Sequence, residues 1–192
     1  MNSEQDPLRP PPDGMASKVI IALAVILGGA AVIALAVMEA RSQHVAVNGA
    51  ISRNFVLDKF GGGTISLAEA RAKGKVVMVD FWATWCGPCV EELPSLVKLA
   101  KEYESKGVVF VAANHDGDPD AKVAVALFLE KMPDLARYTG FADDEMARAF
   151  DVQALPSLYF LGQDGTVLEA HRGALSERQL RSRIEDVLSR AP

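Results

Sequence analysis

Of 192 residues only two are cysteine, Cys86 and Cys89, and they stand in a single Cys-x-x-Cys. That scarcity leaves no third thiol for a disulfide framework, a Cys₄ zinc site or a lipid-bearing cysteine, so any sulfur chemistry is confined to this pair. Basic residues are also short. Twenty Lys and Arg against twenty-five Asp and Glu leave a formal charge of −5, with no cationic excess to hold a phosphate backbone through counterion release, which argues against nucleic acid as a partner. The three histidines, His44, His115 and His171, are scattered and read as surface residues rather than as a ligand set. Gly61-Gly62-Gly63 lacks the Gly-Lys-Ser/Thr that completes a phosphate loop and reads as a plain loop. Asp116-x-Asp118-x-Asp120 opens like a calcium loop, yet Ala121 stands where glycine is required and Leu127 where a bidentate glutamate closes the site. Calcium is rejected, and no internal repeat is evident.

What the chain does have is a run without a single charge, residues 19–38, VIIALAVILGGAAVIALAVM. At 1.5 Å per residue it covers roughly 30 Å, the hydrocarbon thickness of a bilayer, so one membrane crossing is its natural reading. A cleaved signal peptide competes, since Ala34-Leu35-Ala36 resembles a small-residue cleavage site, although such apolar cores normally stop at about 7–15 residues. A buried core helix is the bland alternative, but Pro10-Pro11-Pro12 before it and Ser42-Gln43 after it look solvated. Arg9, Lys18 and the amino terminus precede the run while Arg41 and Arg53 follow it, a slight bias toward N-in. On this reading residues 1–18 are a short disordered cytoplasmic tail, 19–38 the anchor and 39–53 a linker. Residues 54–192 are then one domain on the exported side, where disulfides persist.

Within that domain Val76-Val-Met-Val-Asp80-Phe81 is a nearly continuous, β-branched apolar run, the pattern of a strand buried on both faces. The periodicity predicts a helix from about Cys86 to Glu104, a second buried strand at 108–112 and a helix near 121–131, hence βαβ alternation and an α/β fold. Residues 157–161 and 166–170, joined through Gln163-Asp164-Gly165, read as an antiparallel hairpin. Ser66 with Glu69 and Ser176 with Gln179 fit capping boxes, the second opening a helix with Leu180, Ile184, Val187 and Leu188 on one face. Asp143-Asp144-Glu145 reads as a helix-opening acidic patch. The sum is a central sheet with helices on both sides.

A Cys-x-x-Cys on the first turn of a helix sets two sulfurs on one face, close enough for a reversible small-loop disulfide. Unpaired N–H groups and the positive end of the helix dipole then favour thiolate at the first sulfur, so Cys86 is the expected nucleophile and Cys89 the resolving thiol. Pro88 suits an early helical position, and Gly87 lets another chain approach. A structural disulfide, an incidental pair or half a metal site are the competing readings. A three-residue staple adds little by chain entropy, and no further cysteine completes a thiolate cage.

The segment Val79-Asp-Phe-Trp-Ala-Thr-Trp-Cys-Gly-Pro-Cys89 closely resembles the active-site segment of the thioredoxin superfamily. Glu92 and Pro94, three and five residues past Cys89, are similar to its membrane-anchored, exported TlpA/ResA-type branch, and the likeness extends over about residues 54–190. The resemblance implies a thioredoxin-like fold with a mixed sheet. It implies that Asp80, a buried acid in the apolar strand, helps deprotonate the deeper cysteine, and that Glu92 assists. It also implies that Leu155-Pro156 is the cis-proline loop facing the disulfide, with the Pro156 carbonyl and a neighbouring N–H available to a substrate strand and Leu155 lining the groove. Trp85 borders Cys86 on an apolar rim, Trp82 reads as core, and Pro94 bends the long helix.

The function so implied is that of an oxidoreductase anchored in the inner membrane with its catalytic domain on the periplasmic side. It needs no cofactor and no metal, and reduces disulfides in exported proteins, with apocytochrome c a candidate. A membrane electron-donor protein returns the electrons. Two other readings stand beside it: a chaperone holding a soft ion such as copper(I) on the two sulfurs, and a non-catalytic peptide-binding module.

Overall fold

The structure, a computed structural model, describes residues 13–42, 54–117 and 121–191. The chain divides into two units, Met1–Ser42 and Gln43–Pro192. In the first, helix α1 (Asp13–Ser42) extends past both ends of the apolar run. Its side chains are described from Lys18 to Ile33, all exposed, whereas the run continues in sequence to Met38. Among the described residues no helix is long and apolar enough to cross a membrane. The tail at 1–12, most of the linker (43–53, with His44), and Asp118 and Asp120 lie outside the described residues.

The second unit runs β1 (Val56–Lys59), β2 (Thr64–Ser66), α2 (Leu67–Lys73), β3 (Val76–Trp82), α3 (Gly87–Tyr103), a 3₁₀ turn (Glu104–Lys106) and β4 (Val108–Asn114). It continues with α4 (Ala121–Lys131), α5 (Pro133–Ala136), β5 (Thr139–Phe141), α6 (Asp144–Ala149), β6 (Ser157–Gly162), β7 (Val167–Arg172) and α7 (Glu177–Arg190). The strands form one mixed sheet in the order β2-β1-β5-β4-β3-β6-β7. β3 pairs parallel with β4 on one side and antiparallel with β6 on the other, and β6 with β7 closes the hairpin seen in the sequence. The fold is thioredoxin-like, with helices on both faces as the alternation requires.

Every residue of β3 is buried. Val77, Val79 and Phe81 join the core under α2 and α6, while Val76, Met78 and Trp82 join the core under α3, α4 and α7. Each such side chain contributes roughly 1.5–3 kcal/mol by leaving water, so the central strand has no slack in register. Helix α3 buries Leu93, Leu96, Ala100 and Tyr103 at helical spacing and turns Glu91 and Lys98 to solvent. Pro94 lies within α3, and its missing N–H leaves the Val90 carbonyl without its usual partner one turn on. Helix α7 starts on the predicted capping box of Ser176 and Gln179 and buries Leu180, Ile184 and Val187. Asp143 caps α6 by accepting the Met146 N–H at 2.8 Å.

The glycine run is a loop as expected, the turn of a β1–β2 hairpin with Gly61, Gly62 and Gly63 all at positive φ, while one expectation needs correction. His171 is a buried residue: β7 pairs it opposite Leu158, whose side chain belongs to the α3 face, so the sheet carries it inward.

The entry to β3 is sterically closed. A Cβ on Gly74 would meet the Gly107 carbonyl oxygen at 2.6 Å, and that oxygen is held by the N–H groups of Lys75 and Val76. Gly74→Ala is therefore expected to destabilise the domain by about 1–3 kcal/mol through overpacking, measured as a lower midpoint in urea unfolding with an unchanged slope.

Candidate redox site

Strand β3 delivers the chain at its carboxyl end into a short turn, residues 83–85, after which Cys86 caps α3. Cys86 has extended backbone, and its Sγ accepts the Cys89 N–H at 3.3 Å, one of the donors a helix start leaves free. Pro88 falls in the first helical turn, where no N–H is needed. Cys86 and Cys89 are joined in a disulfide. Cys86 retains 5% of its surface and Cys89 only 1%, so Cys86 is the sulfur an incoming group reaches first. Trp85 is 68% exposed, and Gly87 and Pro88 are exposed beside it. A Cβ on Gly87 would touch nothing within 4 Å, so no contact within the chain requires glycine there.

The Leu155–Pro156 peptide is cis as expected. The hydrogen bonding there differs from the expectation. The Pro156 carbonyl is occupied, accepting the Gly173 N–H at 2.9 Å. The neighbouring Leu155 has an N–H and a carbonyl that make no hydrogen bond to any described residue, so the open N–H beside Pro156 is present while the Pro156 carbonyl is taken. The reason is the loop after β7, which swings Gly173, at φ +95°, against Pro156. Between Trp85 and Leu155 opens a cavity of about 320 Å³, walled also by His115, Asp116 and Ala154.

Both predicted acids are buried in the same layer. Asp80 is 1% exposed on the β3 face it shares with Met78 and Trp82, the face that α3 covers. Neither of its carboxylate oxygens has a hydrogen-bond partner among the described residues. Burial pushes its pKa well above the ordinary 3.8, and the negative charge of Glu92 pushes it further. Glu92 lies one turn past Cys89, and its Oε1 accepts the Leu175 N–H at 3.1 Å. Burial raises it from 4.5 to about 7, the Leu175 N–H pulling the other way.

The redoxin family model matches residues 46–188. The chain belongs to the redoxin family. Similar curated proteins include the thiol-disulfide oxidoreductase ResA of Bacillus subtilis, 31% identical over 69% of this chain and 71% of that protein. The thioredoxin-like protein YneN of the same organism is 32% identical over 69% of this chain and 75% of its own length. Among solved structures, that of a candidate thiol:disulfide interchange protein DsbE from Chlorobium tepidum aligns with a TM-score of 0.64 at 28% identity, covering 73% of this chain and 97% of that one. This redoxin-family chain is a thiol-disulfide oxidoreductase, and the Cys pair is the group with the chemistry for it.

The predicted residues thus gather from three places: Cys86, Cys89 and Glu92 with α3, Asp80 from β3, and Leu155 with Pro156 from the loop before β6. Four contributors were not anticipated. The N–H groups of Gly173 and Leu175 hold Pro156 and Glu92, and backbone donors leave no mark in a sequence. Thr84 is bound by Asp116, a residue weighed in the sequence only as a failed calcium ligand.

Because Asp80 and Glu92 both bind protons more tightly folded than unfolded, the folded oxidised protein carries more protons across this range. Stability therefore falls as pH rises from about 4.5 through about 7. The thermal midpoint of the oxidised protein is expected to drop over that window. Glu92→Gln, which keeps an acceptor for Leu175, should flatten the drop; an unchanged slope would remove Glu92 as its source.

Proposed function

We propose that this chain is a membrane-tethered reductant of disulfides in exported proteins, with residues 19–38 as its anchor and the domain beyond residue 53 on the extracytoplasmic side. The observation that carries the reading is the Cys86–Cys89 disulfide at the start of α3, its outer sulfur next to exposed Trp85, which shares a cavity with Leu155. The anchor is supported by the charge-free run of residues 19–38, and the N-in orientation by Arg9 and Lys18 before it.

In the reduced enzyme the Cys86 thiolate attacks one sulfur of a substrate disulfide and the other substrate sulfur leaves as thiolate. Cys89, its proton passed to Glu92 or Asp80, attacks the Cys86 sulfur. The mixed disulfide breaks, the substrate leaves as a dithiol two electrons richer, and the Cys86–Cys89 bond forms. A membrane protein bearing a dithiol reverses that last oxidation, and tethering both to one bilayer raises the concentration at which they meet. Leu155 pairs with an extended substrate segment through its backbone while Trp85, Gly87 and Pro88 form the rim. The Gly-Pro pair between the cysteines, which resembles reducing members of the superfamily, favours reduction. Apocytochrome c before haem attachment is the dedicated substrate within this class, against a broader set of exported proteins.

Expressing Cys89→Ala in the native host should trap substrates as mixed disulfides on Cys86, recovered with the membrane fraction. Trapped apocytochrome c points to the dedicated role and diverse exported proteins to the general one. Cys86→Ser should abolish both trapping and turnover; full cellular function in that variant would overturn the reading and favour a non-catalytic peptide-binding module.

A further inference from the structure

We infer that Asp116 is a positioning residue for Cys86, acting through Thr84 as a strut between the end of β4 and the active-site turn. The inference rests on the exchange chemistry proposed for Cys86 and adds to it a residue outside the Cys-x-x-Cys segment. Residues 83–85 have little holding them from within. The turn is closed by the Cys86 N–H, which donates to the Ala83 carbonyl at 3.2 Å. From outside, the Asp116 carboxylate engages both donors of Thr84 at once: Oδ1 accepts the backbone N–H at 2.7 Å and Oδ2 accepts the hydroxyl at 2.8 Å. Hydrogen bonds to an ionised acceptor are roughly twice as strong as neutral ones, and a two-point contact on one residue fixes its backbone and its χ1 together.

The strut is itself anchored. The His115 N–H donates to the Trp82 carbonyl at 2.8 Å, continuing the β3–β4 pairing beyond Asn114, and the Asn114 side-chain amide reaches Asp116 Oδ1 at 3.4 Å. Thr84 is two residues before Cys86, and Asp116 also walls the cavity shared by Trp85 and Leu155. The same carboxylate thus sets where the outer sulfur sits relative to the edge on which a substrate segment pairs. Asp116 makes its hydrogen bonds to Thr84 and Asn114 and none to either sulfur, so its effect passes through Thr84.

The test uses the full-length chain in detergent, with the interchain disulfides of insulin as substrate and dithiothreitol as electron source. Thr84→Val and Asp116→Ala are each expected to lower kcat by about tenfold to a hundredfold, the range that misplacement of a reacting group produces, with KM changed less than about twofold. Thr84→Ser, which keeps the hydroxyl, should restore most of the rate. Thr84→Val at the wild-type rate, a change in KM alone, or Thr84→Ser as impaired as Thr84→Val would each overturn the strut. Should a variant fail to fold, amide hydrogen exchange on the wild-type protein decides: the Thr84 N–H is expected to be protected, and exchange as fast as in a free loop would refute the inference. Wild-type protein no better than Cys86→Ser would instead count against the proposed exchange reaction and leave the amide measurement to decide the strut.

Discussion

Everything at this site depends on one junction, where a strand that cannot shift hands the chain to a helix that has just begun. β3 is buried along its whole length and paired on both sides, so its carboxyl end is fixed to within the tolerance of a packed core. The helix that follows is pinned by Leu93, Leu96, Ala100 and Tyr103 against the same sheet. Cys86 sits between these fixed parts as the cap of α3, and its sulfur receives a helix-end N–H because geometry leaves that donor no carbonyl to find. A redox pair built this way needs no long loop to carry it.

The same burial that fixes β3 makes its one acid expensive. Asp80 has no hydrogen-bond partner among the described residues for either oxygen, a cost an ordinary core would shed by substitution with an apolar residue. Glu92 supplies a second carboxyl in the same layer, tempered by the Leu175 N–H. Two acids in one apolar space separate their titrations, because a charge on one opposes a charge on the other. Burial thus raises both carboxyls, Glu92 to about 7 and Asp80 well above its ordinary value, with the charge of Glu92 adding to the rise at Asp80.

Much of this was legible in the amino-acid order, and the exceptions share a cause. β3, β4, α3, α4 and α7 each carry a pattern long enough to be read locally: a β-branched run, a 3.6-residue period or a capping box. β1, β2 and β5 do not, being three or four residues long and held by neighbours far along the chain. At the site, Cys86, Cys89, Asp80 and Glu92 were readable because they lie at fixed offsets along one strand and one helix. The Pro156 carbonyl was expected to be open, and it is not, because Gly173 arrives from beyond the hairpin to occupy it. Thr84 and Asp116 went unpaired in the reading since 32 positions separate them. What sequence hides here is tertiary hydrogen bonding, above all that made by backbone groups.

The turn after β7 has a consequence for how a partner is received. Its Gly173 N–H holds Pro156 and its Leu175 N–H holds Glu92, so a few residues are tied at one end to the proline loop and at the other to α3. With both ends tied, this stretch has little ordering left to lose, so the entropy cost of forming any complex at the proline loop would fall on the other party.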